Sequence, residues 1–258
     1  MNSQVKKLSD ILGLDGPVMG LFYTDQQPGS GISPKPMTPL NQLSPGKDHD
    51  VGWSSCVLSK VRFARRKHCP AFFDQEHYGC LGGAFFMGFK SYYEPFEPAL
   101  ISTGIPGQME GERYVDSTQT GKRFYDSFKP PRAGGKVLVI QPLDLFSPGQ
   151  TPEIVFLFPG RNSLIGLNAL TVFATQNPDA VRIPFGVGCA ALVSWPRRFR
   201  AGNDKVAVIG GFDINCIKYL KAEEFTFAVP YDLFLQMVDA WPDSMLGTRA
   251  WQRLRKKA

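Results

Sequence analysis

Apolar positions along the chain fall into short blocks separated by Gly and Pro, and the blocks change period. Residues 4–13 carry a helical spacing that ends near Gly13, and Pro17 to Tyr23 (PVMGLFY) reads as a buried strand. Residues 54–67 place Val57, Val61 and Ala64 on one helical face, with Ser54 or Ser55 as the N-cap and Cys56 in the first turn. A turn at Gly79 leads into a short helix starting near Cys80, and residues 94–128 read as helical pieces broken at Pro95, Pro98 and Pro106. Lys136–Gln141 and Glu153–Phe158 are strands. Ser163–Thr175 is a helix with Leu164, Leu167, Leu170, Phe173 and Ala174 on its apolar face. Lys205–Ile209 and Glu224–Val229 are further strands. Pro230 opens a helix carrying Leu233, Phe234, Met237, Val238 and Trp241. A last short helix spans 247–256. Strands and helices alternate without a βαβ rhythm. This predicts an α+β fold: a mixed sheet with strands from both halves of the chain, helices packed around it, and long Pro/Gly-rich loops.

Composition sharpens this picture. Of 258 residues, 43% are hydrophobic, enough for a substantial core, and Gly and Pro together fill 47 positions, which argues against a helical bundle. We read residues 1–258 as a single domain, with 26–50 as a flap-like loop and 247–258 as a basic tail. The stretch 26–50 holds five Pro but keeps Ile32, Met37, Leu40 and Leu43, so it is expected to lie against the cysteine-bearing segment rather than act as a linker. No run of about eighteen apolar residues occurs, and the start lacks the apolar segment of a secretory leader. The expectation is a cytoplasmic protein without a membrane partner. The net charge of +6 is local, concentrated at 60–67, 197–200 and 249–258. These clusters read first as solvated faces and a frayed tail. No nucleic-acid motif accompanies them, so no nucleic-acid partner is expected.

Familiar chemical signatures are missing: no GxGxxG follows a strand, and there is no GxxxxGK[ST], HExxH, GxSxG or CxxC. The remaining signal is cysteine and histidine. All three His and three of the five Cys lie between residues 49 and 80, with Cys189 and Cys216 far downstream. Soft sulfur and nitrogen donors gathered this way suit an iron–sulfur cluster or another soft metal centre, although a buried Cys also serves as a small hydrophobe. Cys56, Cys80 and Cys189 are the candidate metal ligands, because each sits at a helix start or behind glycines. Gly82 and Gly83 allow a ligand or a backbone to approach closely. Asp213, after a strand and two glycines, is a turn residue or a cofactor-binding one. A thiolate mechanism remains the competing reading, with Cys80 as nucleophile and His77 as its base. A third is a non-catalytic module binding a flat or anionic ligand through Phe residues and the basic cluster at 60–67.

Several blocks also resemble a known family. LGLDGPVMGLFY at 12–23 is similar to the opening of the domain-of-unknown-function 169 family. SSC at 54–56 and YGCLGGAFFMGF at 78–89 resemble its two cysteine blocks, the second containing its Cys-x-Gly-Gly signature. PEIVFLFP, IPFGVGCAALV, GGFDINCIKYL and FTFAVPYDLF resemble its later blocks in the same order, over about residues 10–240. The family has no generally established activity. The resemblance implies a cytosolic bacterial or archaeal protein with a cysteine-bearing site, and carries over Cys56, Cys80, Gly82, Gly83, Cys189 and Asp213. Relatives have an Arg near Lys218, and Lys lacks its bidentate fork, which weakens the cofactor- or anion-binding role implied there. The reading reached from sequence is a redox or metallocofactor protein, with a small-molecule or redox partner. A homo-oligomer is compatible with the sequence.

Overall fold

The computed structural model describes residues 3–36 and 56–256. Its centre is a seven-stranded sheet in the order β2-β5-β1-β6-β9-β8-β7. The strands are β1 (Met19–Thr24), β2 (Ala71–Asp74), β5 (Val137–Pro142), β6 (Ile154–Leu157), β7 (Val181–Arg182), β8 (Ala207–Gly210) and β9 (Thr226–Pro230). Every neighbouring pair is antiparallel except β7 and β8. A small hairpin, β3 (Gly104–Ile105) with β4 (Met109–Glu110), lies outside this sheet. The predicted α+β class and the mixing of strands from both halves are therefore observed.

The central strands are apolar throughout because both faces are covered. On β6, Ile154 and Phe156 enter one core while Val155 and Leu157 enter the other. The second core is closed by α1 (Ser3–Leu12), α6 (Arg161–Thr175), α8 (Tyr231–Ala240) and α9 (Arg249–Lys256). The first is closed by α2 (Val57–Lys67), α3 (Leu81–Phe86), α4 (Phe96–Leu100), α5 (Thr118–Ser127) and the 189–201 segment that ends in α7 (Trp195–Ala201). Among the described residues no helix is long and apolar enough to cross a membrane.

Several expectations change. The helix expected from 54 begins at Val57, and Cys56 is its N-cap rather than a first-turn residue; Ser54 and Ser55 lie outside the described residues. On α6, Ser163, Gly166, Leu167, Leu170 and Thr171 are buried and Phe173 is exposed. The helix turns its small residues inward because Gly166 meets the Trp251 ring, leaving no room there for a larger side chain. The terminal segment is not a frayed tail. Trp251 is fully buried and donates from Nε1 to the Ile11 carbonyl at 2.9 Å, tying α9 to α1. Much of the basic charge is also used by the fold. Arg65 pairs with Glu224 at 2.6 Å and covers the Phe158 ring, and buried Arg197 pairs with Glu153 at 2.9 Å. Of the flap-like stretch, residues 26–36 are described. Ile32 bridges to Ala71 beside β2, so this part lies along the segment leading to Cys80; residues 37–50 lie outside the described residues.

Candidate functional site

Four chain segments deliver four thiols to one cavity of about 90 Å3 on the first face of the sheet. Its walls include Cys56, Cys80, Cys189 and Cys216, with Glu97, Glu112 and Asp213. Local sequence explains each placement. Cys56 caps α2. Cys80 caps α3, and its thiol accepts the Gly83 N–H at 3.2 Å. That close turn needs glycine, because a Cβ at residue 83 would come within 2.7 Å of the Tyr78 carbonyl. Cys189 is helical (φ −69°, ψ −29°) and leads into a π-helical turn, Ala190–Ser194, that continues as α7. The sequence placed Cys189 behind Gly186 and Gly188. The apolar run CAALVSW pulls it into the core. π-turns recur at functional sites.

Asp213 is buried, lines the cavity and is the turn residue of its loop. Its carboxylate accepts the Asn215 N–H at 2.9 Å and shapes the turn that presents Cys216. It also receives the Gly188 N–H at 3.4 Å and the Tyr114 hydroxyl at 3.5 Å. One carboxylate thus joins the loop bearing Cys216 to the helix bearing Cys189. Gly188 must be small here: a Cβ on it would stand 3.1 Å from the Cys216 Sγ.

The sulfurs of Cys56 and Cys216 are 3.8 Å apart. Their protons are shared unequally. Cys56 is lowered by the hydrogen bond with Cys216, against the opposing effect of burial, and the amides of Leu58 and Ser59 add to the lowering. Cys216 is raised by the same bond and by burial. Cys56 therefore carries the thiolate character of the pair, placed at the positive end of a helix. Burial pushes Cys80 up to about 12 and raises Cys189 well above the ordinary thiol range. Glu97 and Glu112 are raised to about 7, chiefly by burial. The Tyr93 N–H reaches one Glu97 oxygen and the Asn215 amide reaches one Glu112 oxygen. Glu97 Oε1 and Glu112 Oε2 are buried without a partner among the described residues.

Not every predicted residue meets here. Gly82 lines the cavity, with space beside it, whereas Gly83 serves the backbone turn. His77 binds Asp74 through Nδ1 at 2.9 Å and does not line the cavity, and no hydrogen bond joins it to Cys80. The Asp74 carboxylate, already gripping the His77 and Glu76 amides, holds the ring in its own turn. Lys218 sits in a 3-10 turn with its Nζ 5.4 Å from the Tyr219 ring centre, outside the cavity wall. Cys69 is likewise outside it. Cys216, Glu97 and Glu112 were not in the predicted set. A lone Glu inside the apolar run PFEPALI was a readable signal for Glu97, and the GGFDINC block contained Cys216.

The donors are chemically suited to a soft metal, although among the described residues no three His, Cys, Asp or Glu side chains are grouped closely enough to hold one. The Cys56–Cys216 separation of 3.8 Å is what two sulfurs on one tetrahedral ion adopt with bonds of about 2.3 Å.

The sequence profile of the domain-of-unknown-function 169 family, described as uncharacterised ArCR, matches residues 7–240. The chain belongs to this family. Every wall residue of the cysteine cavity lies inside the family stretch, whereas α9 and its buried Trp251 lie beyond it. Comparison with curated proteins and with solved structures gives no match.

Proposed function

We propose that this family member is a redox protein whose cavity takes a compact, soft metal centre of the iron–sulfur type. Cys56, Cys80, Cys189 and Cys216 would be its ligands. The observation that carries the reading is the meeting of four thiols from four segments around one cavity of about 90 Å3, which Glu97, Glu112 and Asp213 also line. Chance burial of cysteines as small hydrophobes scatters them through a core. Here sequence separations of up to 160 residues close onto one void. The volume speaks against the flat-ligand module, since organic ligands occupy about 300–1,000 Å3. The thiolate-enzyme reading is weakened too. Burial holds the Cys80 proton more tightly rather than loosening it, and His77 is engaged elsewhere. Without a metal, buried Cys80 and Cys189 remain neutral thiols, so loading a centre would release protons.

The test is anaerobic purification and reconstitution with iron and sulfide, followed by metal analysis and an absorption spectrum. The expected result is brown protein with stoichiometric iron, lost in Cys56→Ser and Cys216→Ser variants that still fold. Colourless, metal-free protein would reject the centre. One observation supports a second reading in that case: the Cys56–Cys216 pair itself, acting as a dithiol/disulfide couple, since its sulfurs already touch.

A further inference from the structure

Beyond the shared ring of Tyr125 lies a second, larger concavity of about 630 Å3. Four cations border it, Lys90, Lys129, Arg132 and Lys136, and all four are exposed. None of them makes an ion pair among the described residues, although Lys90 rests 4.2 Å from the Tyr78 ring centre. Two acids share the wall and are already occupied. Asp126 binds Lys122 at 3.2 Å and the Tyr92 hydroxyl, and Asp25 accepts the Lys136 N–H at 3.2 Å. The cleft therefore presents an excess of positive charge, which a concave low-dielectric surface focuses.

Its frame is rigid. Buried Arg197 donates to the Pro131 and Arg132 carbonyls at 3.3 and 3.0 Å, and the Ala133 N–H reaches the Gly88 carbonyl at 3.1 Å. Gly88 adopts φ +78°, and a Cβ there would strike the Pro131 carbonyl at 2.3 Å, so the loop carrying Arg132 is clamped onto the segment carrying Phe89 and Lys90. Phe89 and Tyr92 are among the residues lining the same cleft. The volume is that of an organic-ligand site, seven times the cysteine cavity.

We propose that this cleft binds a phosphorylated small molecule bearing a flat ring, a nucleoside diphosphate being the simplest example. The Lys and Arg side chains would hold the phosphates and the Phe89–Tyr92 wall the ring. The assignment is independent of any centre held by the cysteines. Calorimetric titration of the full chain with ADP, and separately with pyrophosphate, tests it. ADP is expected to saturate one site per chain, more tightly than pyrophosphate, and to weaken as salt rises. A K129A/R132A/K136A variant should lose at least about tenfold in affinity. All three side chains are exposed, so its melting curve should match that of the parent and separate lost binding from lost fold. A second variant, Phe89→Leu, should weaken ADP and leave pyrophosphate unchanged. Absence of saturable binding by both ligands, or unchanged binding in the triple variant, overturns the site. Equal affinity for ADP and pyrophosphate overturns the ring-bearing class.

Discussion

The two faces of the sheet are built differently. One face is covered by regular helices of 10, 15 and 10 residues (α1, α6 and α8) plus α9; inside it Ser163 donates to Leu12 and Thr171 to Leu167, while Trp241 Nε1 has no partner among the described residues. The other face is covered by α2 and α5, 11 and 10 residues long, but also by α3 and α4, only 6 and 5 residues long, a π-helical turn leading into α7, and loops. It contains the thiol cavity and the two unanswered carboxyl oxygens of Glu97 and Glu112. Short elements bury less surface of their own, yet each end brings a capping residue or turn carboxylate to a chosen point. Cys80 and Asp213 are such residues, and Cys56 does the same from the end of the longer α2. The difference teaches that the regular face supplies the stability on which the broken face positions chemistry.

The largest break in this comparison is expected on the regular face. Trp251→Ala removes a fully buried ring and the donor to the Ile11 carbonyl, and should cost about 3–5 kcal/mol in denaturant unfolding. The folded fraction should keep the thiol reactivity of the parent. Truncation after Leu246 should be at least as damaging, contrary to the expectation of a dispensable tail. A loss below about 1 kcal/mol for Trp251→Ala would mean that α9 does not belong to the core.

The broken face should show itself in pH dependence. Glu97 and Glu112 are raised in the fold from 4.5 to about 7 because burial disfavours their charged forms. A raised folded value means that the native state holds the proton more tightly than the unfolded chain. Their contribution is therefore complete below about pH 4.5 and is lost as pH rises through about 7. For Glu97, almost fully buried, the span amounts to roughly 3 kcal/mol. Stability of Glu97→Gln measured from pH 4.5 to 8 should lose most of this downward slope. A slope unchanged in that variant would assign the pH dependence to other groups.

What the sequence revealed follows the same division. The regular face was legible because 230–241 keeps a 3.6-residue period and β6 an unbroken apolar run, and both patterns depend only on local geometry. On α6, Leu164, Leu167, Leu170 and Ala174 pack inward as their period indicates, but Phe173 is exposed and Gly166, which the packing of Trp251 demands, was not foreseen, because that contact spans 85 positions of sequence. On the broken face, Cys56, Cys80 and Cys189 were visible through their helix-start or glycine settings. Cys216 was passed over because its partner is 160 residues away. β2 and β7, of 4 and 2 residues, carry too few positions for any period to appear. His77 looked like a base for Cys80 by proximity in sequence, yet the turn closed by Asp74 satisfies it locally.

The smallest effect sharpens the comparison within one residue type. Cys69 follows α2 and lies outside the cavity, its thiol raised by burial against the pull of Lys67. It is the structural control for the other four cysteines. Cys69→Ser should change stability by no more than about 0.5 kcal/mol and leave metal content untouched. Alkylation of the native protein, read by mass spectrometry, should modify Cys69 first, because a thiol near solvent needs no opening of the fold. Cys56 should follow, since its thiolate character is favoured and it is half-buried, but the hydrogen bond it accepts from Cys216 must first break. Cys189 and Cys216 should react only at the rate of unfolding, because burial blocks the reagent and keeps their protons in place, and half-buried Cys80, whose thiol is held protonated, should react more slowly than Cys69. Reaction of Cys80 ahead of Cys69 in native protein would reverse this order. It would show that the cavity opens freely to solvent, and the thiolate-nucleophile reading would then displace the buried centre.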